Sequence, residues 1–330
     1  MSSAIADAQI LVTGASGFVG GHLARRLAAM GGRLRILCRP TSRLDALSDL
    51  TFQRFEGDLT DPLSLAKACE GADYVFHSGG LTSAPDDETY IAANGEGTKN
   101  VCAAAKSKAS GLRRFVYISS MAAAGPGPAG KLIDEEMPAQ PITPYGASKR
   151  LGEKWVQQFD LPWTIIRPPA VYGPWDKAIL PLFQMARWHL SAVVAAQGVA
   201  SVVYVENLVE GIVQSAVRPE AVSQTFYIAD SQPLTRADLA QHMQEAVGTW
   251  AVPLPVPSWV VRSAARVSEA FAKGFGKTAF FDRHKATDLL ALNWGCSIEH
   301  ARRFLGYEPQ VTTRVGMKRT ADWYRLKGWL

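Results

Sequence analysis

Cysteine is scarce in this chain, with four among 330 residues. Cys38, Cys69, Cys102 and Cys296 stand far apart without a Cys-x-x-Cys pair, and none of the six histidines lies at metal-ligand spacing from them. Neither a disulfide scaffold nor a zinc site fits that pattern. It predicts reduced, mostly buried thiols, no metal and a cytoplasmic setting. Long apolar runs are missing too. The richest stretch, 179–205, is broken by Gln184, Arg187, His189 and Gln197, so it falls short of the roughly 18 unbroken apolar residues of a membrane span. The first nine residues have neither the basic nor the apolar part of a signal peptide. A one-signed charge is also lacking, because 35 Lys and Arg against 30 Asp and Glu leave a net +5. Cations cluster only in pairs such as Arg25-Arg26, Arg113-Arg114 and Arg302-Arg303, which fits a solvated surface rather than a nucleic-acid groove. There are no internal repeats or low-complexity tracts.

What the chain does have is alternation. Short apolar runs at Gln9–Thr13, Arg33–Cys38, Thr51–Glu56, Asp73–His77, Arg114–Ser119 and Pro162–Arg167 read as strands. Amphipathic patterns at Phe18–Met30, Pro62–Cys69, Asp86–Ser107 and Pro144–Phe159 read as helices between them. Such βαβ repetition dictates an α/β fold, a Rossmann-type doubly wound parallel sheet with helices on both faces. Ligands of this architecture sit at the carboxyl ends of the strands, where Gly14, Arg39, Asp58, His77 and Ser120 fall. After Arg167 the alternation loosens, Pro and Trp become frequent, and the last hundred residues read as mainly helical. One more strand, Gln224–Ala229, precedes a helix capped by Thr235 with Asp238 three residues on. A coenzyme domain of residues 1–172, with 199–231 returning to it, is therefore expected beside a smaller, mainly helical substrate lobe of 173–198 and 232–330. Residues 122–130, rich in Ala, Gly and Pro, read as a flexible loop.

Gly14-x-x-Gly17-x-x-Gly20 follows a strand and opens a helix, the context in which this spacing signals a dinucleotide pyrophosphate cradle. Gly14 allows the tight turn, Gly17 lets backbone N–H groups approach the phosphates, and Gly20 lets helix and strand pack closely. The second strand ends at Cys38-Arg39-Pro40, where an NAD-selective site carries an acid. Arg39, with Arg43 as a helper, favours the 2′-phosphate of NADP over NAD. Asp58 is placed to accept from the adenine amino group; its other possible role is capping the helix at Pro62, for which Asp61 is the better candidate.

Thr143-Pro144-Tyr145 has the form of a helix start, with Thr143 as cap and Pro144 in the first turn. Tyr145 and Lys149 then share one face. A free phenol, with a pKa near ~10, exchanges protons poorly at neutral pH, and a neighbouring ammonium lowers it. Ser119-Ser120 ends a strand just before the small-residue loop. Ser120 is expected to bind a substrate oxygen beside Tyr145, and Ser119 to be structural or a helper. No GxSxG elbow accompanies either serine, which argues against a hydrolase.

These motifs resemble those of the extended (atypical) short-chain dehydrogenase/reductases of the NAD(P)-dependent epimerase/dehydratase superfamily. The resemblance runs nearly end to end, through Gly57-Asp58-Leu59-Thr60-Asp61, Val75-Phe76-His77, 94–100 (NGEGTKN), 116–120 (VYISS), 166–174 (IRPPAVYGP), 204–208 (YVENL), 305–309 (LGYEP) and Trp323-Tyr324. It implies Ser120, Tyr145 and Lys149 as catalytic residues. It also implies a coenzyme site of Gly14, Ser16, Gly17, Phe18, Val19, Arg39, Asp58, Leu59, His77, Ser78, Gly79, Pro168 and Val171, completed by Tyr145 and Lys149. Met121, Ala170 and Tyr172 are expected at the substrate, and a homodimer built on two helices per subunit is common in such proteins.

Two departures from the usual pattern matter, the first at the coenzyme loop and the second on the substrate side. Gly79-Gly80 stands where Ala-Ala is usual. Ala170 replaces the usual Asn, and Ala200-Ser201 stands where nucleotide-sugar epimerases carry an Arg that holds the diphosphate. The chain resembles more closely the 3β-hydroxysteroid dehydrogenase and ketone-reductase branch. Residues 252–261 and the helix after them, with Ala264, Val267, Ala270 and Phe271, are apolar with Arg262, Arg266 and Lys273 alongside. A core-packing helix is expected there; an oily pocket wall or a membrane contact are the other readings. The expected activity is interconversion of a secondary alcohol and a ketone on an apolar, steroid-like or alkyl substrate. A nucleotide-sugar epimerase with retained NAD(P) and a non-catalytic NADP(H) sensor are the alternatives.

Overall fold

The structure is a computed structural model that describes residues 2–275, 279 and 281–330. Seven strands form its main sheet: β1 (Gln9–Thr13), β2 (Arg33–Cys38), β3 (Phe52–Glu56), β4 (Tyr74–His77), β5 (Arg114–Ile118), β6 (Trp163–Arg167) and β7 (Gln224–Tyr227). Every pairing is parallel, in the order β7-β6-β5-β4-β1-β2-β3. The strands are those the sequence predicts, shifted by a residue or two at their ends. Among the described residues eleven helices of seven or more residues accompany them: α1 (Phe18–Ala29), α2 (Pro62–Cys69), α3 (Gly97–Lys108), α4 (Pro144–Gln158), α5 (Leu180–Arg187), α6 (Val205–Val217), α7 (Arg236–Val247), α8 (Ser258–Gly274), α9 (Arg283–Leu290), α10 (Glu299–Leu305) and α11 (Thr313–Leu326).

Period-2 burial divides the core between the two sheet faces. Ile10 and Val12 point to one face, with Leu23, Leu208 and Ile212 from α1 and α6. Leu11 points to the other, with Leu65, Val101 and Val156 from α2, α3 and α4. Because both faces are covered, the central strands β4 and β5 are buried along their whole length, while the edge strand β3 exposes Gln53, Arg54 and Glu56. The order reverses direction at β1 and β4, so a crevice opens between their carboxyl ends.

Beyond β6, apart from β7, the strands form small sheets of their own. Val252–Val256 pairs with Leu190–Val194, and Val199–Ala200 lies between Leu234–Thr235 and Asn293–Trp294. A third core gathers Phe183, Leu239, Met317 and Tyr324 with Tyr172 and Tyr204.

Three expectations change. The helix predicted over 86–107 is interrupted: Ile91–Glu96 is a π-helical stretch between short α-helix and α3, an irregularity that buries Asn94. The 122–130 loop is tied down at Ala124, whose carbonyl accepts from Gln140 N–H at 2.7 Å, and at Gly127, whose N–H reaches Asn293 O at 3.0 Å. Helix α8 does not pack into the core on all sides. Only Val261 and Ala265 are buried, while Trp259, Val267 and Phe271 stand in solvent. The four cysteines are free and buried, and burial pushes the Cys69 and Cys296 thiols up to about 12. No described helix is long and apolar enough to cross a membrane.

Candidate active site

The site grows from the β1 turn. Gly14 has φ +75°, and a Cβ there would lie 2.6 Å from the Ser78 backbone, so only glycine brings the ends of β1 and β4 this close. A Cβ on Gly20 would run into the Gly14 carbonyl, and one on Gly17 would sit 3.2 Å from it. Helix α1 starts directly after, with Gly17 as a cap that offers no side-chain acceptor and no acid in its first turn. Its leading N–H groups are therefore left for an anion, with the positive end of the helix dipole behind them. The cradle fits a dinucleotide pyrophosphate.

Other predicted coenzyme residues gather on the same edge. Ser16 and Gly17 are exposed, while Phe18 and Val19 are partly buried at the start of α1. A Cβ on Gly79 would lie 3.3 Å from Leu59 Cδ1, so the segments after β3 and β4 come close here. Arg39 is exposed just past β2, whereas Arg43 is engaged by Asp45 at 3.1 Å. Asp58 accepts from Thr60 N–H and Oγ1 at 3.0 and 2.9 Å, and Asp61 caps α2 as predicted.

His77 ends β4 with its ring turned into the interior. It is fully buried with both ring nitrogens bonded, Nδ1 to Thr13 Oγ1 at 2.7 Å and Nε2 to Thr98 Oγ1 at 3.0 Å. Thr13 Oγ1 accepts from Gly79 N–H at 3.1 Å and Thr98 donates to Asn94 O. The consistent tautomer is a neutral ring protonated on Nε2. Burial, reinforced by the Lys149 charge, pushes its pKa down to about 3. The imidazole braces the crevice from behind and has no nitrogen left for a ligand.

The predicted trio comes together at the carboxyl end of β5. Thr143 caps α4 through Gly146 N–H, and Pro144 occupies the first turn. Tyr145 and Ser120 both line one cavity of about 960 Å³. Burial raises the Tyr145 phenol above its ordinary value, a hydrogen bond with Ser120 lowers it, and the Asp288 charge raises it. The expectation that Lys149 pulls the phenol down is not met here, because the ammonium is engaged elsewhere. Lys149 Nζ donates to Ile118 O at 2.8 Å and lies 4.4 Å from the centre of the Tyr117 ring. Burial, opposed by Glu153, brings Lys149 down to about 7. Asn94 braces the same region. Its Oδ1 accepts from Leu81 N–H at 2.7 Å, and its Nδ2 reaches Ser148 Oγ at 3.0 Å.

Behind the trio lies a network that sequence reading missed. Glu153 accepts from Ser119 Oγ at 2.7 Å, from Arg167 Nε and Nη2 at 2.8 Å each, and from Arg150 Nη1 at 2.8 Å. Ser119 is thus structural, as expected, and holds the strand end that presents Ser120.

The cavity is mostly apolar, with Met121, Ala170, Leu182, Met185, Met243 and Val261 among its walls. Of the residues expected at the substrate, Met121 is a wall of this cavity and so is Ala170. Tyr172 is not: it is buried in the third core, and its hydroxyl donates to Asp230 at 2.9 Å. Two residues along the same strand it shares a face with Ala170, but Asp230 and Thr313 draw its hydroxyl into the core. The polar wall groups from the last hundred residues were not foreseen. Arg236 spends its guanidinium on the carbonyls of Val194, Leu289 and Ala291. Asp288 is pushed up to about 7 by burial and by Asp282, against a hydrogen bond with Thr143. Burial lowers the Lys285 ammonium while Asp282 raises it.

Comparison with known proteins agrees with this geometry. The NAD dependent epimerase/dehydratase family matches residues 10–229. A ceramide reductase of Caulobacter vibrioides is 30% identical over 322 residues, covering 97% of this chain and 96% of its own. A UDP-glucose 4-epimerase of Vibrio cholerae is 28% identical, covering 95% and 94%. The crystal structure of gox2253 superimposes with a TM-score of 0.80 at 30% identity, over 98% of this chain and all of the other.

Proposed function

The chain belongs to the NAD dependent epimerase/dehydratase family, an NAD(P)-dependent oxidoreductase-type enzyme by its relatives, and from that premise we propose that it reduces a ketone on an apolar substrate with NADPH. The single observation carrying this reading is the cavity beside Tyr145. Its walls are mostly apolar; of the two cations among its lining residues, Arg236 is held by backbone carbonyls and Lys285 is engaged within the protein, and its carboxyl, Asp288, opposes an anionic ligand. A sugar diphosphate needs free cations in that space. A long apolar ketone does not. The ceramide reductase relative supports the same substrate class.

The proposed division of labour follows from position. Residues 1–172 and 199–231 hold the coenzyme, and 173–198 with 232–330 shape the substrate lobe. The glycine turn and the first N–H groups of α1 hold the pyrophosphate, and Arg39 pairs with a 2′-phosphate. When bound, the coenzyme supplies the nicotinamide C4 that gives or accepts the hydride. Ser120 orients the substrate oxygen. Tyr145 gives that oxygen its proton in reduction and takes it back in oxidation. Lys149, anchored on Ile118 O, holds the nicotinamide ribose and replenishes the Tyr145 proton; its near-neutral pKa suits that exchange. A homodimer is the proposed assembly, on the family resemblance.

The second reading, a nucleotide-sugar epimerase that retains its coenzyme, draws on the Vibrio relative. One assay separates them. Purified enzyme given NADPH and a series of long-chain and sterol ketones should oxidise the coenzyme in step with alcohol formed. Tightly held NAD(P), no net oxidation and epimerisation of a sugar nucleotide would overturn the ketone-reductase reading.

A further inference from the structure

Helix α8 has two apolar faces, and only one is used by the fold. Val261 and Ala265 are buried against Ala286. On the other side Trp259, Val267, Phe271 and Phe275 are 68%, 69%, 70% and 66% exposed. Soluble surfaces rarely leave that many large apolar side chains together. At 3.6 residues per turn, Arg262, Arg266 and Lys273 fall within about 40° of one another, beside Trp259 on the flank of the apolar stripe. All three are exposed. The one acid of the helix, Glu269, is paired with Arg283 at 3.4 Å. Apolar surface continues back along the strand that enters the helix, where Trp250 and Val252 are exposed.

An apolar stripe with aromatic residues and a cationic margin is the pattern of a helix that lies in a membrane interface. A second copy of the chain would present the same cations and no unpaired acid from this helix. The outer groove and the catalytic cavity also share wall residues: Val260 and Ala264 border both. We propose that α8 seats this protein on a phospholipid bilayer bearing anionic headgroups, with the thin wall at Val260 and Ala264 turned toward the lipid. Trp259, Phe271 and Phe275 enter the acyl boundary, and Arg262, Arg266 and Lys273 meet the phosphates. Delivery of an apolar ketone across that wall is the use of this seat, and that use rests on the function proposed above.

The test needs neither coenzyme nor ketone, so it stands or falls apart from the proposed reaction. Full-length protein is sedimented with vesicles of phosphatidylcholine alone or mixed with phosphatidylglycerol, at low and high salt. The expected result is binding to the mixed vesicles that weakens with salt and with loss of the anionic lipid. Phe271→Ser with Phe275→Ser should lower the partition coefficient at least about tenfold. Arg262→Gln, Arg266→Gln and Lys273→Gln together should lower it on anionic vesicles by about a hundredfold. Both variants change only exposed positions and should melt with the wild type. Wild-type protein that stays in the supernatant with anionic vesicles at low salt overturns the proposal. So does binding that both variants retain, or a dimer that Phe271→Ser dissociates, which would assign the face to a second copy.

Discussion

Replacing Glu153 with Gln tests whether the buried network behind Ser120 holds the site together. Glu153 is fully buried and the Arg167 side chain is 5% exposed, so the carboxylate is the counter-charge of a desolvated guanidinium. Gln keeps the volume but turns a donor toward Arg167 and leaves its charge unpaired. Breaking a buried pair by removing one partner costs about 3–5 kcal/mol. A chain of 330 residues unfolds with an entropy of about 0.7 kcal/mol/K, so the melting midpoint should fall by roughly 4–7 °C. Pairing Glu153→Leu with Arg167→Met should recover most of that loss, to within about 1–2 kcal/mol. Arg150 is 28% exposed and can turn to water, while Ser119 forfeits one hydrogen bond of about 1 kcal/mol. The assay is thermal unfolding followed by circular dichroism at one scan rate.

The same pair of proteins carries a pH signature. Burial works to raise the Glu153 carboxyl, but Arg167, Ser119 and Arg150 hold it below its ordinary value. A depressed acid stabilises fully above its unfolded value and loses that contribution as pH falls through the folded one. The gap between wild type and Glu153→Gln should thus be constant near neutrality and close on acidification. A single variant that melts within about 1 °C of wild type at neutral pH would refute the reasoning, and so would a double variant no better than the single.

Two further predictions follow from other residues. Arg39→Asp should raise the KM for NADPH by about 10-fold or more through loss of a charge-assisted bond, and shift preference toward NADH; an unchanged coenzyme ratio in steady-state kinetics would contradict the role of Arg39. Lys149, at about 7 in the fold, sheds its proton before the unfolded chain does. Between that value and the ordinary lysine value the unfolded state binds more protons, so the stability due to Lys149 rises with pH. From about pH 7 to about pH 9, denaturant unfolding of wild type should gain about 2–3 kcal/mol over Lys149→Met. A flat difference would mean that the ammonium is not desolvated.

Much of this was legible because it is local. The β1 turn, the Thr143–Pro144 start of α4, the Asp61 cap and the Thr235–Asp238 capping box are each written within a few residues. What escaped needed tertiary partners. Glu153 and Arg167 lie on different elements, and nothing in either segment announces a buried pair. His77 sits at a strand end as expected, but Thr13 and Thr98 take both its nitrogens. Tyr172 follows Ala170 by two residues, yet Asp230 and Thr313 draw its hydroxyl into the core. Lys149 shares a helix face with Tyr145, but spacing does not reveal that Ile118 O and the Tyr117 ring hold its ammonium. The cavity walls from α9 reach the site only through folding, and the pattern of α8 does not say which apolar face the core takes.

The most direct measurement is single-turnover hydride transfer in Tyr145→Phe, with NADPH bound to saturation and an apolar ketone the wild type reduces. Loss of the phenolic proton should slow alcohol formation by about 100-fold or more, within the range of general acid catalysis, while the dissociation constant for NADPH stays within about twofold of wild type. Alcohol formed at the wild-type rate by that variant would contradict the account.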